Sequence, residues 1–169
     1  MFDVGEYVVF GSDGVCEVES IGPLDMEGIS KEVLYYTLIP VGKTGNGRIY
    51  APVEGKRTVI RRIIDREGAD NLIKEINHID KLNITDEKKR EERYKEVIRN
   101  CDLRELVQLM KEIMARKEMR DAIGKKLTAL DERYYGMAEN CLYSELSFPL
   151  EMDKAQIREY ISQKCELEK

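Results

Sequence analysis

The residues of this chain best suited to do chemistry are cations gathered in two places. One is the segment Lys88-Lys89-Arg90-Glu91-Glu92-Arg93-Tyr94-Lys95, where basic side chains flank a tyrosine. The other is Arg116, Lys117, Arg120, Lys125 and Lys126, spread around Gly124. Guanidinium and ammonium groups at such density can hold phosphate oxygens. Each group also has a plainer use. Helical spacing allows i,i+4 ion pairs such as Glu91 with Lys95, which would make the first segment a solvated helix face. Cations near the end of a helix also favour its negative pole. Lys125, Lys126 and Arg133 flank the start of the next helix, where backbone amides can hold an anion as well. Structure and binding are both open at these positions. A third group, Arg57, Arg61 and Arg62, reads as a strand edge protected by charge, or as a lock between domains.

Covalent and metal chemistry have little to stand on. Cys16, Cys101, Cys141 and Cys165 are far apart, and His78 is the single histidine. Zinc sites want clustered thiols with histidine, so no metal is expected and the cysteines read as buried, unbridged thiols of a reducing compartment. Gly11, Gly14, Gly45 and Gly47 lack the spacing of a phosphate loop and read as turn residues. There is no nucleophile with a base beside it and no pair of catalytic carboxylates. The expectation is a protein that binds without catalysis, cofactor or small-molecule substrate.

The whole chain has 169 residues and a net charge of −5. Any contact with a polyanion must therefore come from a local patch, and it should weaken with salt. Apolar residues make up 42% and charged residues 36%, a soluble, folded composition with no apolar run near the ~18 residues of a membrane span. The chain opens directly into strand-like sequence, without a basic stretch followed by an apolar one, so a cytoplasmic location is expected.

Two periodicities divide the chain. Tyr7 to Phe10, Val15 to Ile21, Glu32 to Pro40, Arg48 to Val53 and Thr58 to Ile64 read as strands. Gly22-Pro23 reads as the end of the second, and Gly42 to Gly47 as a hairpin loop. Such short strands suggest a small, bent antiparallel sheet or barrel. Ile49, Tyr50 and Ala51 would form a template for strand addition if they lay on an edge. From Asp65 the pattern turns helical. Leu72, Ile73, Ile76 and Ile79 form one stripe, and Thr85 can cap a charged helix running to about Asn100. Asp102 to Glu105 has capping-box form ahead of Leu103, Leu106, Val107, Met110, Ile113 and Met114. Thr128 can cap a helix holding Leu130, Tyr134, Met137, Ala138, Cys141, Leu142 and Leu146, interrupted by Pro149. A last helix spans roughly Asp153 to Cys165. Met110, Met114, Met119 and Met137 read as core. The fold class is α+β, with a β-domain at residues 1–66 followed by an all-α domain of about five helices at residues 67–169.

Several strings in this order resemble the CarD/CdnL family of RNA polymerase-binding transcriptional regulators. Phe2-Asp3-Val4-Gly5-Glu6-Tyr7-Val8-Val9-Phe10, followed by Gly14-Val15-Cys16-Glu17-Val18, is similar to the opening of its polymerase-interaction domain. That domain is Tudor-like (SH3-like) and shared with the transcription-repair coupling factor. Ile49-Tyr50-Ala51-Pro52-Val53 resembles the strand the family lays against the polymerase β subunit. Glu92-Arg93-Tyr94-Lys95 resembles the Arg-Tyr-Lys stretch on its DNA-facing helix. Lys125-Lys126-Leu127-Thr128, with Glu132-Arg133, resembles the junction before its long fourth helix.

The resemblance implies polymerase binding through Arg48, Ile49, Tyr50, Ala51 and Pro52. It implies DNA contact through Lys89, Arg90, Arg93, Lys95, Lys125, Lys126 and Arg133, near the upstream edge of the −10 region. The implied role is stabilisation of the open promoter complex, with no membrane partner. There are two departures. Where the family carries a wedge tryptophan in the minor groove, this chain has about Arg90 and no tryptophan anywhere. An arginine can still enter a narrow minor groove electrostatically. A conspicuous arginine on the family's polymerase-facing strand is matched by Tyr50. The acidic balance and the missing tryptophan leave a second reading open, a Tudor-like module that binds protein alone.

Overall fold

The computed structural model of the protein describes residues 1–42, 47–55 and 59–165. It divides into two compact units, Met1–Ile63 and Ile64–Lys169.

The front unit is one antiparallel sheet. Its strands are β1 (Tyr7–Phe10), β2 (Gly14–Pro23), β3 (Leu34–Pro40), β4 (Ile49–Pro52) and β5 (Ile60–Arg62), in the spatial order β4-β3-β2-β1-β5. Gly11 and Gly14, at φ 41° and 75°, turn the chain from β1 into β2 through a single 3₁₀ turn. Glycine takes these angles without the clash a Cβ would bring. Alternation does the sorting here, because successive side chains face opposite ways. Val8, Cys16, Val18, Tyr36, Leu38 and Ala51 form the core, with Phe2, Phe10, Ile21, Ile49, Val53 and Ile60 packed against it. Of the neighbours Tyr35 and Tyr36, only Tyr36 is buried, and its hydroxyl accepts the Phe2 N–H at 3.0 Å.

The expected strands are present, with one extension. Gly22 and Pro23 are the last two residues of β2, still paired with Tyr35 and Leu34 beyond a register shift between Val18 and Ser20. Such an irregularity bends a long strand, and β2 stops at Pro23, where the local turn signal places its end. The middle of the expected loop at 42–47, residues 43–46, and the front of the last strand, with Arg57 and Thr58, lie outside the described residues.

The second unit contains helices α1 (Arg66–Glu75), α2 (Arg90–Asn100), α3 (Leu103–Asp121), α4 (Ala129–Leu150) and α5 (Lys154–Lys164). Asp65, Asp102, Thr128 and Asp153 each accept an N–H from the first turn of the helix they precede, filling donors that no helix satisfies internally. α4 is the central element, packed against α1, α2, α3 and α5. That position explains its composition, with Tyr134, Ala138, Cys141, Leu142, Tyr143, Leu146 and Leu150 buried in place of a single apolar stripe. Leu72, Ile73, Ile76 and Ile79 are buried as one stripe, and all four cysteines are buried without a disulfide.

Three local expectations are corrected. Thr85 is not the cap; Asp86 accepts the Lys88 N–H at 3.0 Å and opens a 3₁₀ turn, Glu87–Lys89, which leads into α2. Pro149 lies inside α4, which runs on to Leu150 and ends at the left-handed residue Glu151 (φ 53°). Proline there removes one donor in the final turn and nothing further on. Met110 is core, but Met119 and Met137 are exposed, because α3 outruns its neighbours and α4 keeps one outer face. No helix among the described residues is long and apolar enough to cross a membrane.

Candidate functional site

The strand β4 is one margin of the sheet, paired among the described residues to β3 alone. Val53 donates its N–H to the Leu34 carbonyl at 2.8 Å. In an antiparallel ladder bonding alternates along the strand, so Ala51 and Ile49, two and four residues earlier, also turn their peptide groups to β3. Tyr50 and Pro52 turn theirs outward. Pro52 has no N–H to leave unpaired, which suits proline to an outward edge position. The open margin thus offers the Tyr50 N–H and the carbonyls of Tyr50 and Pro52. Side chains follow the same rule. Ala51 is buried and Ile49 leans on the core, whereas the Tyr50 ring is 44% exposed. Of the expected contact set, Ala51 can therefore contribute neither main chain nor side chain to that margin.

Arg48 is held by a carboxylate two strands away. Its Nε and Nη2 donate to Glu19 Oε2 and Oε1 at 2.5 and 2.7 Å. These hydrogen bonds hold the Glu19 carboxyl below its ordinary pKa and raise the Arg48 guanidinium above its own. A bidentate pair of this geometry fixes the side chain in front of β4. Arg48 thus borders the margin as half of an ion pair.

The cations of the helical unit separate into two classes. Arg93 is paired with Glu96 at 2.7 Å and Glu105 at 3.2 Å. Lys95 pairs with Glu91 at 3.3 Å, the i,i+4 partner that spacing predicts. Arg133 reaches the same Glu91 at 3.4 Å and lies over the Tyr134 ring. Lys89, Lys125 and Lys126 are exposed and form no ion pair among the described residues. Arg90, expected as a groove-entering side chain, lies mostly inside the helical unit. Its side chain is only 15% exposed and its guanidinium faces Asp131 at 3.6 Å and Glu87 at 3.5 Å. Burial beside a carboxylate commits that charge to the interior.

Residues 2–64 match the family model described as the CarD-like/TRCF RID domain. The chain carries a CarD-like domain. Comparison of the whole chain with curated proteins gives no match. The CarD-like domain is an RNA polymerase-interacting domain, and its matched span takes in all five strands, the β4 margin included.

Behind the CarD-like domain, what sequence reasoning missed is a buried ionic cluster at the start of α4. Asp131 is fully buried; it accepts the Tyr94 hydroxyl at 3.0 Å and the Thr128 hydroxyl at 2.7 Å. Arg90 and Arg116 face it at 3.6 and 3.7 Å. Arg116 also clasps Glu87 with two hydrogen bonds of 2.8 and 2.7 Å, which lower the Glu87 pKa and raise that of Arg116. Two cations thus meet two acids, joining the start of α2, the C-terminal part of α3 and the first turn of α4. The exposed Lys89, Lys125 and Lys126 belong to the segments that this cluster ties down. Arg120 adds a staple, its Nε donating to the Lys126 carbonyl at 2.6 Å. The one sequence signal for the cluster was Thr128 followed three residues later by Asp131, which reads equally well as an ordinary cap.

Burial, and then the Asp131 charge, push the Tyr94 phenol above its ordinary value of 10.0. Burial likewise raises the Cys165 thiol above 9.0. For groups raised on folding, the unfolded chain loses its protons first. Their stabilising contribution is complete below the unfolded values and is lost as pH rises through the folded ones. The urea midpoint should hold steady up to about pH 9 and then decline. Tyr94→Phe should flatten the tyrosine part of that decline. Parallel profiles for the two proteins across the alkaline range would show that Tyr94 does not take part.

Proposed function

We propose that the protein is a non-enzymatic transcription regulator acting in the cytoplasm. Its CarD-like domain docks on the RNA polymerase β subunit through the β4 margin, and its helical unit touches promoter DNA at the upstream edge of the −10 region. Binding to the open complex in preference to the closed one shifts the population towards open promoter. A tenfold preference is worth about 1.4 kcal/mol of that equilibrium. The observation that carries this reading is the match of residues 2–64 to a polymerase-interacting domain, supported by an edge strand suited to strand addition.

The DNA half of the reading rests on Lys89, Lys125 and Lys126, exposed cations without an acidic partner among the described residues. A second reading, protein binding alone, is favoured by the pairing of Arg93, Lys95 and Arg133 with acids. Salt dependence separates the two. Removing one cation from a phosphate should reduce the slope of log affinity against log salt by about 1. The triple variant Lys89→Ala, Lys125→Ala, Lys126→Ala should therefore bind a promoter fragment more weakly, with a slope lower by about 3. It should also fail to prolong open-complex lifetime, although it still co-purifies with polymerase. An unchanged slope and lifetime would leave only the protein-binding module.

A further inference from the structure

The turn joining α3 to α4 carries apolar side chains among cations. Met119 and Ile123 are 70% and 65% exposed, the most exposed large apolar side chains of the helical unit. Between Arg116 and Lys126 the chain has five cations and two acids. Arg116 is committed to Glu87 and Lys117 to Asp121. Arg120, Lys125 and Lys126 form no ion pair among the described residues. The turn is closed by the N–H groups of Gly124 and Lys125, which donate to the Asp121 and Arg120 carbonyls at 3.0 and 2.9 Å.

The front unit carries a patch of the opposite sign. The end of the β2–β3 hairpin presents Met26, Val33 and Leu34, which are 52%, 38% and 44% exposed. Single exposed apolar residues are ordinary, but here three lie within nine positions of the chain. Glu27, Glu32 and Glu54 accompany them, exposed and without an ion pair among the described residues. Glu54 reaches this end because the preceding Val53 donates its N–H to the Leu34 carbonyl. The local cation Lys31 is taken by Asp25 at 3.2 Å. Two turns close the hairpin, Ile29 donating to the Met26 carbonyl at 3.2 Å and Val33 to that of Ser30 at 3.3 Å. Side chains presented on closed, hydrogen-bonded turns lose little further freedom when they bind.

We propose that the α3–α4 turn of one copy docks on the β2–β3 hairpin end of a second copy. Each surface sets apolar side chains beside charges, and the charges are of opposite sign. Charge complementarity selects the pairing: the cations of one turn repel another turn, and the glutamates of one hairpin repel another hairpin. The contact is therefore heterologous, leaving a hairpin free on one copy and a turn free on the other, so further copies can add. It goes beyond the polymerase and DNA reading and stands without it. Lys125 and Lys126 cannot hold phosphates and the hairpin glutamates at once, so docking closes that turn to DNA.

The test is sedimentation of the full-length chain alone, over a range of protein concentrations. Wild type should show an average mass that rises with concentration. The rise should shrink between about 0.1 M and about 1 M salt, as the screening length falls from about 10 Å to about 3 Å. The turn variant Lys125→Glu, Lys126→Glu and the hairpin variant Glu27→Lys, Glu32→Lys should each associate at least about tenfold more weakly, because attraction becomes repulsion. Mixed in equal amounts, they should form pairs and grow no further, since each retains the surface that the other lacks. A chain carrying all four reversals should associate again. Ile123→Ser, which alters no charge, should weaken association about fivefold, as partial loss of a buried isoleucine does. All these positions are exposed, so unchanged circular dichroism melts are expected and serve as the control for folding. Wild type that stays monomeric at its highest soluble concentration overturns the proposal. Association retained by both charge variants places the contact elsewhere, and a mixture that fails to pair shows that the two surfaces do not meet; either result overturns it as well.

Discussion

Asp131→Ala is expected to destabilise the helical unit by about 3–5 kcal/mol, the range for removing one partner of a buried ion pair. The carboxylate is fully buried, accepts two hydroxyl hydrogen bonds and lies opposite two guanidinium groups. Removing it leaves Arg90 and Arg116, 15% and 20% exposed, facing each other with Glu87 as their remaining acid. The Nε of Arg90 is already buried without a hydrogen-bond partner among the described residues, so that site has little capacity to absorb a further loss. Tyr94 and Thr128 would lose their acceptor as well, at about 1–3 kcal/mol for a buried group left unsatisfied. Asp131→Asn separates the two effects. It keeps an oxygen for one of the two hydroxyls, which use different carboxylate oxygens, and removes the charge, so its cost should fall between wild type and alanine. Urea unfolding followed by circular dichroism measures both. A loss below about 1 kcal/mol for Asp131→Ala, no more than a surface ion pair contributes, would mean that the cluster does not hold the helices together.

Tyr50→Pro should abolish co-purification with RNA polymerase while leaving the CarD-like domain folded. The reason is the alternation along β4. Ala51 and Ile49 face β3, so the Tyr50 N–H is not used inside the sheet and is the outward donor of the strand. Proline removes that N–H and places a ring where a partner strand would lie. Loss of the ladder bond and of register should weaken binding at least about tenfold, equivalent to one hydrogen bond of ~1.5 kcal/mol. Tyr50→Asp tests the exposed ring and the local charge while keeping the N–H. If strand pairing carries the contact, proline is the more damaging of the two. Retained binding by both variants would move the polymerase contact away from β4. A converse substitution, Ala51→Pro, breaks a bond to β3 and should unfold the margin, so it cannot replace Tyr50→Pro in this experiment.

Much of the local structure was legible in residues close together in the chain. Asp102, Thr128 and Asp153 cap helices because the groups they satisfy lie within three residues. The stripe Leu72, Ile73, Ile76 and Ile79 is buried, and the sheet core takes alternate residues of the strands, Cys16 with Val18 and Tyr36 with Leu38. The errors came where a local signal competed with packing. Gly22 and Pro23 read as lying past the strand, yet they are its last two residues, paired with β3. Met119 fits a helical apolar period, yet α3 extends past the helices that would cover it.

The charged residues were the least legible, for a physical reason. Arg90 lies in a run of charge that reads as a wetted face, and only the packing of α2 against α4 brings it to a carboxylate 41 residues further on. Glu112 and Glu145 are buried for the same kind of reason, accepting the backbone N–H groups of Asn83 and Ile64 at 3.0 Å each. A buried carboxylate needs donors, and donors so distant in the chain have no periodicity to announce them. Arg48 is another case, its partner Glu19 lying on β2, which is separated from β4 in the sheet by β3.

By itself, then, the sequence determined the two periods, their order and the caps at Asp102 and Thr128, because hydrogen bonds and side-chain spacing within a few residues decide these. Only the tertiary structure decided that β4 is a margin, that α4 lies at the centre, and which cations are committed to acids and which remain exposed. Those outcomes depend on which surfaces come together after the elements have formed, and the energy that selects them is shared among residues tens of positions apart.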